Sequence, residues 1–290
     1  MVHDALRQFH PVIARWFEEK VGIPTPPQVM GWPVIGAQKS ALILAPTGSG
    51  KTLAAFLAAI DWLARRLITA ETEEKTLWGV QILYVSPLKS LANDVQKNLL
   101  KPLAEIADVA AAMKVRDWPE MQVAVRTGDT PQRERAAIAR RPPHILITTP
   151  ESLNLMLTTG SRGALATARF VIVDEVHALA GSKRGTFLSL LLERLEEERK
   201  LFSDAPADKR GIKIPPGVYV PVEPVGELIR IGLSATARPE EQIARWLAGY
   251  DAAGDARPIE IVRTGQRKML DLQVVCPFQT GDEEADDPLP

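Results

Sequence analysis

A phosphate-binding loop is the clearest chemical signal in the sequence. Residues 40–53 have the sequence SALILAPTGSGKTL, in which two glycines precede Lys51 and Thr52. Glycines let successive backbone N–H groups turn toward phosphate oxygens, the lysine neutralises the β- and γ-phosphates, and the threonine hydroxyl can ligate Mg²⁺. Ala45 stands where the strict G-x-x-x-x-G-K-[ST] pattern has its first glycine. The spacing still favours a nucleoside triphosphate site over a glycine-rich turn that only caps a helix. The residues predicted to contact the nucleotide are Pro46, Thr47, Gly48, Ser49, Gly50, Lys51 and Thr52.

An acidic pair supplies the second half of such a site. Residues 170–177 have the sequence FVIVDEVH, so Asp174 and Glu175 follow four apolar residues. One carboxylate can hold the hydrated metal while the other accepts a proton from the attacking water. Alone, the pair could simply cap the following helix. Together with the loop it predicts hydrolysis, with Mg²⁺ held by Thr52 and Asp174. His177 on its own is more often a structural imidazole.

Buried strands are expected to position these groups. Six short runs rich in Val, Ile and Leu occupy residues 41–45, 80–85, 121–125, 144–148, 170–173 and 228–233. Continuous apolarity is typical of strands buried on both faces of a parallel sheet. The clearest helical pattern lies between the first two runs, where apolar residues repeat at spacings of three and four from Leu53 to Leu67. The alternation predicts an α/β fold, with a mostly parallel central sheet and helices on both faces.

The composition excludes fibrous, collagen-like and wholly disordered proteins. The 290 residues are 46% hydrophobic and 24% charged, which gives enough apolar material for a sizeable core. Lys and Arg number 35 against 36 Asp and Glu, so the net charge of −1 gives no argument for a polyanionic partner. Cys276 is the single cysteine, permits no internal disulfide and is expected to be a small apolar residue. With neither a secretory signal nor a membrane span predicted, the cytoplasm is the expected location.

The motifs occur in an order that resembles the superfamily 2 helicases and translocases of the DEAD/DEAH-box type. DEVH resembles motif II, APTGSGKT motif I, SPLKSL at 86–91 motif Ia, SAT at 234–236 motif III, and PTPPQ at 24–28 the adenine-reading Q motif. The runs RTGDTPQRER, ILITTPESLNLML, VHALAGSKRG and RIGLSATARP resemble the large helicase-related (Lhr) family closely, over about residues 9–277. The resemblance implies a RecA-like P-loop NTPase fold and an ATP-dependent helicase that moves 3′ to 5′ on single-stranded DNA, favoured over RNA, with a role in DNA repair.

The same resemblance implies a role for individual residues. Gln28 would hydrogen-bond the adenine edge, and Thr25 would support its loop. Asp174 would hold Mg²⁺, and Glu175 would position or deprotonate water beside Lys51. The residues expected to couple the nucleotide site to nucleic acid are His177, Ser234, Ala235 and Thr236. Those expected along the backbone of one nucleic-acid strand are Pro87, Lys89, Thr127, Gly128, Thr149 and Pro150.

Simpler structural explanations remain open for part of this set. Pro87 and Pro150 end strands whatever their function, and TGDT at 127–130 is also a competent turn. Phe17, upstream of the Q motif, could stack on adenine or pack in the core. A solvated helix face is a simpler explanation than a nucleic-acid patch for Arg133, Arg135, Arg140 and Arg141.

The expected domain organisation follows from the resemblance. Residues 1–38 would form an N-terminal helical extension with the Q motif, residues 39–262 the first RecA-like domain, and residues 263–290 a linker toward a second RecA-like domain. The proline-rich residues 203–226 are expected to form an irregular excursion, and the acidic residues 281–290 a solvated segment. Nothing after Thr236 resembles motifs IV to VI, so the isolated chain is expected to be nearly inactive. Two alternatives remain: a nucleotide- and nucleic-acid-binding fragment without turnover, and a P-loop ATPase acting on protein partners.

Overall fold

Strands and helices alternate along most of the chain. The structure is a computed structural model that describes residues 3–72, 76–204, 218–219, 226–236 and 238–264. Its helices are α1 (Pro11–Lys20), α2 (Pro26–Gly36), α3 (Lys51–Thr72), α4 (Lys89–Ala112), α5 (Gln132–Arg140), α6 (Pro150–Leu157), α7 (Val176–Leu179), α8 (Lys183–Asp204) and α9 (Glu240–Ala248). Its strands are β1 (Ala41–Leu44), β2 (Thr76–Leu77), β3 (Ile82–Val85), β4 (Val123–Arg126), β5 (Ile145–Thr148), β6 (Phe170–Val173), β7 (Val218–Tyr219), β8 (Ile229–Ser234) and β9 (Glu260–Arg263). Cys276, the acidic tail and most of the 203–226 segment lie outside the described residues.

Seven of the described strands form one parallel sheet in the order β4-β5-β3-β6-β8-β1-β9. The register pairs Leu44 with Ser234, and Val85 with both Val173 and Thr148. Each of the six apolar runs overlaps one of these strands, so the prediction of a mostly parallel sheet is confirmed. The six runs differ from their strands by shifts of one or two residues at strand ends, where local pattern defines boundaries least well. The seventh strand of the sheet, β9, lies outside the six runs.

Two hydrophobic clusters lie against the two faces of the sheet. One cluster contains the apolar stripe of α3, including Leu57, Ile60 and Leu63, together with residues of α1, α2 and α4. The other contains buried residues of α6, α7, α8 and α9. The predicted helices on both faces are therefore confirmed. No helix within the described ranges is both long enough and apolar enough to cross a lipid bilayer.

The N-terminal helices share the core of the first face. Trp32 of α2 packs edge-to-face against Phe9 and Phe17, with ring centroids 4.8 and 5.2 Å apart. The indole N–H of Trp16 on α1 donates a 3.0 Å hydrogen bond to Glu105 of α4. Phe17 is fully buried. Of its two possible roles, core packing is the one the structure shows, because a fully buried ring leaves no face on which a base could stack.

A buried ion cluster fixes the start of β8. The side chains of Arg199 and Arg230 are each 1% exposed and flank Glu196. The Glu196 carboxylate accepts hydrogen bonds from Arg199 (3.1 Å) and from the Leu228 N–H (3.2 Å), while Arg230 donates to Glu193 at 2.7 Å. Burial lowers the pKa of Arg199 to about 10, so this guanidinium stays charged at neutral pH. The cluster ties α8 to the amino end of the strand whose other end carries Ser234.

Candidate nucleotide and nucleic-acid site

The predicted site residues lie mainly at the carboxyl edge of the sheet. Because the strands are parallel, the segments that follow them all leave this edge, which is where open α/β sheets bind ligands. The order β6-β8-β1 places the acidic pair, the SAT motif and the phosphate loop side by side. The order β4-β5-β3 does the same for the loops expected to bind a nucleic-acid strand. The two halves are neighbours, because β3 pairs with β6.

The phosphate loop joins β1 to the start of α3. Gly48 and Gly50 adopt positive φ angles of 77° and 84°, a conformation that side chains disfavour. Lys51 is the first residue of α3 and is only 5% exposed, and no carboxylate of the described residues lies within 4 Å of its ammonium group. The hydroxyl of Ser49 is buried and has no hydrogen-bond partner within the described part of the chain. A cavity of about 500 Å³ opens beside this loop and is also lined by Glu175.

The Q motif is attached directly to the phosphate loop. Gln28 is 2% exposed, and its carbonyl oxygen accepts a 2.9 Å hydrogen bond from the N–H of Thr25. Its amide nitrogen donates to the carbonyl of Gly50 at 3.4 Å. A Cβ on residue 50 would lie 2.7 Å from this amide nitrogen, and the φ angle of 84° disfavours any side chain at this position. Thr25 caps α2 through a capping box, in which its side chain faces the N–H of Gln28 and the Gln28 side chain faces the N–H of Thr25.

The acidic pair follows β6 in an unusual backbone conformation. Glu175 adopts φ 48° and ψ 45°, which is uncommon for a residue other than glycine. Strained backbone of this kind is concentrated at functional sites. The Glu175 N–H donates a 2.9 Å hydrogen bond to Oδ1 of Asp174. Both carboxylates are therefore held at the edge of the sheet next to the phosphate loop.

Tyr84 is a site residue that the sequence motifs did not reveal. It lies on β3, is fully buried, and its hydroxyl donates a hydrogen bond to Oδ2 of Asp174. Its ring stacks on Phe56 of α3, with centroids 5.1 Å apart. Burial and the nearby Asp174 carboxylate raise the pKa of Tyr84 well above its ordinary value, so the hydroxyl remains a donor at neutral pH. The available signal was a phenol within an otherwise aliphatic strand, ILYV.

A chain of contacts links Glu175 to the end of β8. The Nδ1 atom of His177 lies 3.3 Å from Oε2 of Glu175 and 3.2 Å from the hydroxyl of Ser234. The Ser234 hydroxyl donates to the carbonyl of Thr236 at 2.8 Å. The single proton of the Ser234 hydroxyl is used in this bond, so the Ser234 oxygen can only accept a hydrogen bond from His177. The Nδ1 atom of His177 must then carry a proton. Ala235 lines a neighbouring cleft of about 1220 Å³ together with His177 and Thr236.

The loops expected to bind a strand lie together, but their threonine hydroxyls have local partners. Thr127 and Thr149 are both buried. The hydroxyl of Thr127 accepts from the N–H of Asp129 at 3.3 Å, and that of Thr149 donates to Ser152 at 3.4 Å. Pro87 and Pro150 are buried as well, Lys89 begins α4, and Gly128 is exposed at the tip of its loop. These hydroxyls are therefore already engaged within the chain, as is the Thr127 N–H, which donates to the Thr130 hydroxyl at 2.9 Å.

One member of the arginine cluster has a defined structural role. Arg135 donates hydrogen bonds to the carbonyls of Thr130 (2.7 Å) and Gly128 (2.6 Å), and so holds the TGDT turn. Arg133, Arg140 and Arg141 are exposed. The expectation of a solvated helix face is wrong for Arg135, because a lone helix pattern does not show which loop the helix meets. For the three exposed arginines it stays a prediction, since a nucleic-acid patch would be exposed as well.

The known proteins that this chain resembles are helicases. The model for the family described as DEAD/DEAH box helicase matches residues 25–243. The Lhr helicase/probable uracil glycosylase of Mycolicibacterium smegmatis is 44% identical over 274 residues, which are 94% of this chain and 16% of that protein. The ATP-dependent helicase Lhr-Core of Methanothermobacter thermautotrophicus is 41% identical over 277 residues, 95% of this chain and 28% of that protein. The solved structure of Mycobacterium smegmatis helicase Lhr bound to ssDNA and AMP-PNP matches with a TM-score of 0.71 at 43% identity, covering 90% of this chain and 28% of that one. This chain thus spans 16% to 28% of the length of these relatives.

Proposed function

This chain belongs to the DEAD/DEAH box helicase family, and from that premise we propose that it is the first motor domain of an ATP-dependent helicase or translocase of the Lhr type. One observation carries the proposal. The acidic pair, the SAT motif and the phosphate loop follow three neighbouring strands at the carboxyl edge of one parallel sheet, and the loops expected to bind nucleic acid follow the next three strands. The identities to Lhr helicases support it. We propose that residues 1–38 form an N-terminal extension, residues 39–262 the motor domain and residues 263–290 a linker. Helices α1 and α2 of the extension contribute to the core on one face of the sheet.

The residues at the phosphate loop fit ATP and Mg²⁺. Among the described residues, Lys51 is a buried cation without a carboxylate partner, and Ser49 carries a buried hydroxyl without a hydrogen-bond partner. Buried polar groups in proteins nearly always have partners, so this cluster points to a bound polar ligand. The hydroxyl of Thr52 and the carboxylate of Asp174 are the oxygen ligands that Mg²⁺ prefers. When bound, ATP with Mg²⁺ supplies the phosphoanhydride bond that is cleaved.

The chain's own residues then have distinct tasks. Lys51 and the N–H groups of the loop, from Pro46 to Thr52, would bind phosphate oxygens, and Gln28 with Thr25 would read the adenine edge. Asp174 would hold the metal in the orientation fixed by Tyr84 and the Glu175 N–H. Glu175 would take the proton of the attacking water. Through His177, Ser234, Ala235 and Thr236, the state of this carboxylate would be linked to the end of β8.

Single-stranded nucleic acid is the proposed second ligand, with DNA favoured because the Lhr structure that resembles this chain contains ssDNA. Pro87, Lys89, Thr127, Gly128, Thr149 and Pro150 would follow the strand's backbone. A second RecA-like domain is proposed as the partner that completes the ATP site. Movement 3′ to 5′, a role in DNA repair and a cytoplasmic location remain predictions of the family resemblance.

Strand binding that weakens with salt tests this proposal. Each phosphate contact on single strands contributes a slope of about 0.7 in log affinity against log salt. With three loops engaged, we expect a slope of about 2 for a fluorescent single-stranded DNA bound to this chain, measured by anisotropy. A matched RNA strand is expected to bind more weakly. A flat salt response would contradict the proposal and favour the ATPase that acts on protein partners.

A further inference from the structure

Arg184 joins three separate segments at the carboxyl edge of the sheet. Its Nε and Nη2 atoms donate to the two carboxylate oxygens of Glu151, at 2.6 and 2.8 Å. Its Nη1 atom donates to the backbone carbonyl of Pro87. The two parallel bonds to one carboxylate use the planar guanidinium in the way that gives the most geometric specificity. A lysine could not reproduce this arrangement, because an ammonium group lacks the fork.

The sheet topology explains why these three segments meet. Strands β5, β3 and β6 are consecutive in the sheet. Pro87 follows β3, Glu151 lies in the first turn of α6 after β5, and Arg184 lies in the first turn of α8, which comes after β6 and α7. One side chain thus connects the segments that leave three adjacent strands. Two of these segments are the loops proposed to bind the nucleic-acid strand, and the third continues from the acidic pair.

The backbone around Arg184 is closely fitted to α7. A Cβ on the next residue, Gly185, would lie 1.9 Å from the carbonyl oxygen of Leu179, so only glycine permits this approach. The hydroxyl of Ser182 accepts from the Gly185 N–H at 3.0 Å and donates to the Leu179 carbonyl at 2.7 Å. The first turn of α8 is therefore held against the end of α7. This contact sets the position from which Arg184 reaches the two loops.

The charge on Arg184 is already compensated. The hydrogen bond from Arg184 lowers the pKa of Glu151 below its ordinary value, so the pair stays ionised at neutral pH. Three of the five guanidinium N–H groups of Arg184 are bonded within the chain, and the Glu151 carboxylate offsets its positive charge, which weakens its attraction for a phosphate. Its contribution to strand binding would then come from geometry and not from attraction.

We propose that Arg184 is a positioning residue for strand binding. It holds the loop after β3 and the start of α6 at a fixed separation, so that both segments contact the same nucleic-acid strand. It also connects both loops to the helix that follows the acidic pair. The inference rests on the proposed function, because it concerns the same nucleic-acid loops.

Single and double variants of this chain test the proposal. R184A, R184K and E151Q are each expected to weaken single-stranded DNA binding about tenfold, while ATP affinity and thermal stability stay close to wild type. The double variant R184A/E151Q is expected to be no weaker than either single variant, since both remove the same contact. R15A, which removes an exposed ion pair with Glu19 on α1, is the matched control and should bind like wild type.

Two results would overturn the assignment of Arg184. If R184K binds DNA like wild type and E151Q binds more tightly, Arg184 is a direct phosphate contact that Glu151 weakens. If all three single variants bind DNA like wild type, the contacts of Arg184 with Glu151 and Pro87 have no role in binding the nucleic-acid strand. Failure of the wild-type chain to bind DNA at all is a separate outcome, and it would count against the proposed function itself.

Discussion

ATP turnover by this chain alone is expected to be roughly 10³- to 10⁵-fold slower than turnover by the full-length helicase of which we propose it is the first domain. Motifs IV to VI, whose arginines reach the γ-phosphate in superfamily 2 helicases, find no counterpart after Thr236 in this sequence. Arginines supplied from a partner stabilise the charge that develops on the transferred phosphoryl group. Steady-state ATPase assays of both proteins, with saturating single-stranded DNA, measure the difference.

Nucleotide affinity provides the control for this comparison. The isolated chain should bind ATP with Mg²⁺ through Lys51 and Thr52, so slow turnover would reflect missing catalysis and not missing substrate. Robust, DNA-stimulated hydrolysis by the 290 residues alone would show that the site is complete without a second domain, and this part of the account would be wrong.

Replacing Glu175 by glutamine in the full-length helicase is expected to lower ATP turnover by about 10²- to 10⁴-fold, the usual contribution of a general base. The amide keeps the size of the side chain and can still lie beside His177, but it cannot accept the proton from water. Because the phosphate loop is untouched, ATP affinity should remain within about twofold of wild type. Paired ATPase and nucleotide-binding measurements distinguish these effects.

Glu18→Gln is a suitable matched control for this substitution, because Glu18 is an exposed acid on α1 outside the site. It should leave turnover unchanged. Normal turnover by the Glu175 variant would exclude Glu175 as the general base, and the role that the family resemblance implies for this residue would be wrong.

Local patterns in the sequence were sufficient for the sheet and for most of the site. Each buried run is defined by adjacent residues, and the phosphate loop and acidic pair are continuous motifs that directly follow β1 and β6. The parallel arrangement then brings the ends of these strands together, because the carboxyl ends of all parallel strands lie at the same edge of the sheet. The positions of Lys51, Asp174 and Ser234 relative to one another follow from that geometry.

Contacts between distant residues were not predictable in the same way. Tyr84 and Asp174 are 90 residues apart, and Arg184 and Pro87 are 97 apart. No spacing rule relates such pairs, and only the strand order β5-β3-β6 makes them neighbours. The role of Phe17 was equally undetermined, because an aromatic residue upstream of the Q motif fits a core as well as a base-stacking site until its packing against Trp32 is known.

The buried cations in the described part of the chain differ in what compensates their charge. Arg199 and Arg230 are paired with Glu196 and Glu193, which is the usual condition for a charge to be buried. Lys51 is buried without such a partner among the described residues. A buried cation of this second kind is expected where an anionic ligand supplies the compensating charge.

The affinity of this chain for ATP with Mg²⁺, measured by calorimetry for wild type and Lys51→Ala, tests the central claim most directly. We expect one nucleotide per wild-type chain and an affinity about a hundredfold lower in the variant, equivalent to about 3 kcal/mol for the lost charged contacts. Lys39→Ala, which removes an exposed lysine paired with Glu260 at 2.7 Å, should bind like wild type. Equal ATP affinity in the wild-type and Lys51→Ala chains, or no binding by the wild-type chain, would contradict the assignment of this edge of the sheet as an ATP site.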